Sequence, residues 1–169
     1  MTTRMTEFTI RKFKETDLPA LTALIHKTVG ACYPGHYCRE AIHFFLRYHS
    51  VDAIRADARA GRTLVLDRAG RVFGTGTLVG AEIKRVFVDP VRQGEGFGRH
   101  LMQHLERTAA QHGIRTVQLD ASLPAQAFYE RLGYVTVTAA SEPVENGRRL
   151  DFFKMEKTLR ECVRNPRDR

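Results

Sequence analysis

Ile83–His112, IKRVFVDPVRQGEGFGRHLMQHLERTAAQH, is the stretch on which the fold turns. Ile83–Val88 is rich in β-branched and aromatic residues and predicts a strand. Asp89-Pro90 ends it, because proline has no N–H for a ladder and disfavours helical geometry in the residue before it. Gly94, Gly96 and Gly98 then allow tight turns and a close approach of backbone to a ligand. A helix follows at once, with Phe97, Leu101, Leu105 and Ala109 on one stripe. The N–H groups at such a helix start lack partners, and the helix dipole adds positive charge there. Strand, glycine loop and helix N-terminus together predict a pyrophosphate cradle. It is not a P-loop, since no Gly-Lys-Ser/Thr follows. Nor is it a dinucleotide fingerprint, since Arg99 stands in the third glycine slot after Gly94 and Gly96.

Upstream, Glu7–Phe13 alternates as a strand, and Thr16 or Asp17 caps a helix with Pro19 in its first turn. Leu18, Leu21, Leu24, Ile25 and Val29 form its buried stripe, and Gly30–His36 reads as a loop. A second helix runs from about Arg39 to Tyr48, apolar at Ile42, Phe45 and Leu46, and Ser50 caps a third that ends at Gly61. Thr63–Asp67 and Val72–Val79 flank a turn and predict a hairpin. Downstream, Thr116–Ala121 is a strand reached by a helical crossover, hence parallel to the first. Pro124–Leu132 is a short helix closed by Gly133. Tyr134–Ala139 and Arg149–Lys157 predict a last hairpin around Glu145-Asn146-Gly147. One domain over 1–159 is expected, followed by a basic, frayed tail over 160–169.

The chain has 169 residues, 43% hydrophobic and 27% charged, the composition of one soluble globular domain. No apolar run approaches a membrane span, and MTTRMTEFTI lacks a signal-peptide core, so a cytoplasmic protein is expected. Three cysteines, Cys32, Cys38 and Cys162, suggest no disulfide framework. Cys32, His36, Cys38 and His43 cluster, but their spacing matches no common zinc motif, and no metal is expected. The net charge is +8. The basic residues are scattered without interleaved aromatics, which disfavours nucleic acid and suits capture of an anionic cofactor.

Gln93-Gly94-Glu95-Gly96-Phe97-Gly98 matches the Q/R-x-x-G-x-G/A element of the GCN5-related N-acetyltransferase (GNAT) superfamily. Ala127-Phe128-Tyr129-Glu130-Arg131-Leu132-Gly133-Tyr134 resembles its F-Y-E-x-L-G-F/Y helix end, and Ile10-Arg11 with Asp17-Leu18 resembles its opening strand and helix cap. The resemblance covers roughly residues 7–158. It implies an α/β fold: a mixed, mostly antiparallel sheet of 6–7 strands with a splayed parallel β4/β5 pair, flanked by about four helices.

The resemblance further implies acetyl transfer from acetyl-CoA, a co-substrate, to an amine. Pantetheine would pair with the strand at Val86, Phe87 and Val88, and pyrophosphate would lie on the amides of Gln93, Gly94, Glu95, Gly96, Phe97, Gly98 and Arg99, with Arg92 adding charge. The amine must lose a proton, the thioester oxygen needs a donor, and the leaving thiolate needs a proton. A backbone N–H near Val88 suits the oxygen, and Tyr129 stands where the family's acid stands. Glu82, eleven residues before Gln93, matches the offset of the family's glutamate base, with Asp120 the other carboxylate near the cleft. The family's pantetheine-binding asparagine is replaced by Ser122, which can bond pantetheine or cap the next helix. No cysteine lies in the motif, so direct attack in a ternary complex is expected. Phe128 and Leu132, four apart, would pin the short helix to the core and turn Tyr129 toward the cleft. The acceptor would be a primary amine of a small molecule, amino acid or peptide, framed by the Tyr33–Cys38 loop and the Asn146 turn. The other reading is a catalytically inert module that binds acyl-CoA or an acidic partner. A homodimer is compatible with the sequence.

Overall fold

The computed structural model describes residues 8–160; Glu7 of the first expected strand, the 161–169 part of the tail and Cys162 lie outside the described residues. Seven strands form one sheet: β1 (Thr9–Lys12), β2 (Arg62–Arg68), β3 (Arg71–Val79), β4 (Glu82–Val88), β5 (Thr116–Ser122), β6 (Val135–Pro143) and β7 (Arg149–Thr158). Among the described residues five α-helices accompany them, one for each helical segment read from the sequence: α1 (Leu18–Cys32), α2 (Arg39–Tyr48), α3 (Val51–Ala60), α4 (Phe97–Gln111) and α5 (Gln126–Arg131). The strand order is β1-β2-β3-β4-β5-β7-β6, so the returning strand inserts beside β5. β4 and β5 run parallel, and every other adjacent pair is antiparallel.

The sheet is covered on both faces. Leu18, Leu21, Ile25 and Val29 of α1 pack with Ile54 of α3, Val65 and Phe87. On the other face Met102, Leu105 and Ala109 of α4 pack with Ile83, Val117, Leu119 and Met155. Met102 joins the stripe expected on α4, and all of these side chains are buried. Arg11 holds two carboxylates at once, Asp17 at 2.7 Å and Asp67 at 2.8 Å, tying the start of α1 to β1 and β2. Those hydrogen bonds keep the Asp17 carboxyl below its usual range.

Three local expectations change. α1 runs through Gly30 to Cys32, because Val29 and Tyr33 are buried on either side and their packing outweighs one glycine in a helix. β6 runs on to Pro143, which an edge strand tolerates because proline there leaves no ladder bond unmade. Gly98 lies inside α4 and is not a turn residue. The Ser50 cap forms as expected, its hydroxyl accepting the Ala53 N–H at 3.3 Å. Ser50→Ala should therefore lower unfolding stability by about 1 kcal/mol, read from a denaturant melt.

Candidate active site

The parallel pair is barely a pair. β4 and β5 register only at Glu82 and Gln118, where the Gln118 N–H bonds the Ala81 carbonyl at 3.0 Å. Beyond that point the strands part, and a cavity of about 710 Å³ fills the opening. It runs from the glycine loop to the aromatic side chains of α2.

At one end lies the cradle. Gly94 and Gly96 hold φ of 83° and 87°, a conformation that side chains resist, and an added Cβ would meet nothing within 4 Å. The space in front of both is open. The first bond of α4 runs from the His100 N–H to the Gly96 carbonyl at 3.1 Å, so the amides of Phe97, Gly98 and Arg99 have no partner in the helix. Gly98 is needed for a different reason: its Cβ would come within 3.0 Å of the Phe128 ring, and its absence lets α5 close against the loop. Lys27 anchors the turn before the loop through Asp89 at 3.0 Å, and the Gln93 side-chain amide donates to the Val88 carbonyl at 3.1 Å.

The wall is β4. Asp89 donates its N–H to the Phe73 carbonyl at 2.8 Å, while Val88 stands opposite Gly74. In an antiparallel ladder these registers alternate, so Val88 turns its N–H and C=O away from β3 and into the opening. Gln93 already meets the C=O, and the N–H is left to call for a partner.

Across the opening sits Tyr129. It is 7% exposed, its ring packs edge-on against Phe128 and Tyr134, and its hydroxyl makes no hydrogen bond among the described residues. Burial pushes its phenol up, with Tyr33 adding to the shift, so the group is fully protonated at neutral pH. Tyr129 is thus the buried residue of α5, Phe128 and Leu132 pack against the core from partly buried positions as expected, and the Phe128 ring also meets the loop at Gly98.

Glu82 lines the far end, with its side chain 37% exposed and Lys84 at 3.8 Å. Asp120 also lines the cavity and meets Lys154 at 3.4 Å. Val86, Phe87, Gln93, Arg99 and Ser122 all reach the cavity, as do Arg92, Phe97 and the three glycines. Glu95 does not; it pairs with Arg92 at 3.5 Å and turns toward a neighbouring hollow. Ser122 does not cap the turn that follows β5. The Leu123 N–H instead donates to the Tyr37 hydroxyl at 2.8 Å, and that hydroxyl donates to the Asp151 carbonyl at 2.9 Å. Tyr37 thereby joins the α1–α2 loop to β7 and to the turn after β5, a role with no local sequence signal. The Asn146 turn also closes on α2: Asn146 donates to Glu40 at 3.0 Å and Glu145 meets Arg47 at 3.0 Å.

His49 and Arg85 were not anticipated. Both are buried at the cavity wall, and Arg85 donates to His49 Nδ1, which must therefore be unprotonated. Burial, aided by Arg85, brings the His49 pKa down to about 3. In the unfolded chain it titrates near its ordinary value of 6.5. Below that pH the unfolded state takes up a proton that the folded state refuses. Stability from this group is complete above pH about 6.5 and lost as pH falls toward about 3, by at most about 1.4 kcal/mol per pH unit. Melting temperatures measured across that range should show the loss, and His49→Gln should flatten it. No group of three or more metal-binding side chains occurs among the described residues, and no helix there is long and apolar enough to cross a membrane.

The sequence profile described as "Acetyltransferase (GNAT) domain" matches residues 34–159. Among solved structures, a GCN5-related N-acetyltransferase from Rhodopseudomonas palustris superposes with a TM-score of 0.84 at 23% identity, covering 94% of this chain and 100% of that one. The PaiA N-acetyltransferase of Thermoplasma acidophilum, solved with coenzyme A, gives 0.72 at 18% identity over 90% and 99%. The ribosomal-protein-S18-alanine N-acetyltransferase of Escherichia coli gives 0.67 at 22% identity over 94% and 98%. At such identities the structural likeness speaks for the fold.

Proposed function

We propose, from the premise that the chain belongs to the GNAT acetyltransferase family, that it is an N-acetyltransferase moving the acetyl group of acetyl-CoA directly onto a primary amine. The observation that carries this reading is a single cavity joining the glycine cradle, the unpaired edge of β4, the partnerless Tyr129 hydroxyl and Glu82. The residues present suit acetyl-CoA: open space before Gly94 and Gly96 for phosphates, free amides at the α4 start, and for an extended pantetheine the parted edge of β4, where the Val88 C=O is held by Gln93 and its N–H faces the opening. Acetyl-CoA supplies the activated thioester carbonyl.

The chain's own groups do the rest. Glu82 takes the proton of the incoming ammonium, directly or through water. The Val88 N–H stabilises the carbonyl oxygen as it gains charge. Tyr129 donates its proton to the departing sulfur. The aromatic and mixed-charge end, with Phe44, Tyr48, Asp120, Glu142 and Phe152, receives the acceptor, which is a small molecule, amino acid or peptide.

An acetyl-CoA consumption screen across amine classes tests the reading. Turnover with at least one amine is expected; binding of acetyl-CoA with no turnover would favour the inert module. Glu82→Gln keeps shape and removes basicity. It should lower kcat at neutral pH by roughly tenfold, less than the usual range for an acid–base residue because water reaches this half-exposed site. The loss should shrink at high pH, where the amine deprotonates unaided. A wild-type profile at every pH would move the role to Asp120.

A further inference from the structure

Arg85 is a non-glycine residue in left-handed geometry, φ 54°, in the middle of β4. β4 is bulged there: Thr77 pairs with Lys84 and Thr75 with Phe87, so Gly76 alone faces Arg85 and Val86. The bulge reverses the strand's phase. Before it, the Ala81 carbonyl bonds Gln118, so odd-numbered residues turn their backbone groups toward β5. After it, the Asp89 N–H bonds Phe73, so odd-numbered residues turn toward β3 and Val88 turns into the opening. Side chains follow: Phe87 joins the α1 face, while Val86 and Val88 join the α4 side.

A left-handed arginine is strained and persists only where its surroundings hold it. Its guanidinium is 4% exposed and fully engaged. Nε and Nη2 reach Asp57 of α3 at 2.9 and 2.7 Å, and Nη1 donates to the Tyr48 carbonyl at 3.2 Å and to His49 Nδ1. The Tyr48 ring lies 5.1 Å from the same group.

We infer that Arg85, clamped by Asp57, Tyr48 and His49, is a positioning residue that holds the β4 bulge and thereby aims the Val88 N–H into the cleft. It touches no reacting atom. Its assignment as an aid to acetyl transfer rests on the reading given above; its effect on β4 does not.

Glycine adopts positive φ without strain, so Arg85→Gly and Arg85→Ala separate backbone from side chain. Both delete the clamp and leave Asp57 and His49 without it. Amide hydrogen exchange on the chain alone is the first measurement. In wild type the Val88 amide should exchange faster than the Phe87 amide by about tenfold or more, reflecting the missing ladder bond. Arg85→Ala should reverse that order, and Arg85→Gly should restore it. The second measurement is acetyl-CoA affinity by calorimetry, expected to fall about tenfold in the alanine variant, the scale of one lost hydrogen bond, and to recover in the glycine variant. Wild-type exchange order in Arg85→Ala overturns the inference. A glycine variant that exchanges like alanine supports it as well, since the clamp is then needed even where the backbone carries no strain. A chain in which exchange behaves as expected but acetyl-CoA does not bind keeps the positioning role and refutes the proposed function.

Discussion

Gly96→Asp should abolish the rise in melting temperature that acetyl-CoA gives the wild-type chain. A ligand at a hundred times its dissociation constant stabilises the folded state by about 2.7 kcal/mol, a shift easily read. The substitution spares the fold for three reasons. Nothing lies within 4 Å of the added Cβ. Aspartate tolerates the left-handed geometry of this position better than most side chains. Position 96 also precedes α4 directly, and a carboxylate at a helix start is favourable. What it cannot spare is the cradle, because the new charge stands in the space where phosphates would lie. Gly96→Asn carries the same bulk without the charge and should keep part of the shift. A full shift in the aspartate variant would remove this loop from the site.

The strand, glycine loop and helix start were legible because their physics is local. A β-branched run, a proline and three spaced glycines each act on their own few residues, and Ile83–Gly98 contains all of them. The order of helices and strands followed for the same reason, and Ser50 caps α3 as its chemistry requires, while Gly61 ends it at φ −138° without the left-handed turn of a C-terminal glycine, its missing side chain making room for the Leu78 backbone. Failures came where a distant partner decides. Ser122 has the chemistry of a cap, yet Tyr37, 86 residues before Leu123, takes the Leu123 amide. Gly30 has the chemistry of a stop, yet the packing of Val29 and Tyr33 carries α1 past it. Arg85 left one trace: two adjacent cations, Lys84 and Arg85, inside an apolar strand. In a regular strand they would point to opposite faces, one into the α4 core. The bulge resolves that conflict, since Lys84 and Arg85 both reach Asp57 on the α3 side.

Tyr129→Phe should lower kcat by about 10²-fold, within the usual contribution of a general acid. The phenol sits on a helix of six residues, held between the turn after Ser122 and the left-handed Gly133. Its ring is fixed by Phe128 at 5.0 Å and Tyr134 at 5.7 Å between centroids, and neither contact involves the hydroxyl. Deleting the oxygen therefore leaves the packing intact, and the melting temperature should hardly move. The hydroxyl is not sealed in: no buried side-chain oxygen among the described residues lacks a partner, and Tyr129 lines the cavity. Removing the hydroxyl should leave stability unchanged, whereas loss of a structural tyrosine's hydroxyl would lower it. Burial also keeps the phenol protonated, so wild-type activity should show no loss from its ionisation through the range where amines titrate. The KM for acetyl-CoA should change far less than kcat, because the proton is needed by the departing sulfur and not by the bound thioester. Loss of stability with unchanged kcat would return Tyr129 to the core. Unchanged kcat with unchanged stability would leave protonation of the thiolate to water.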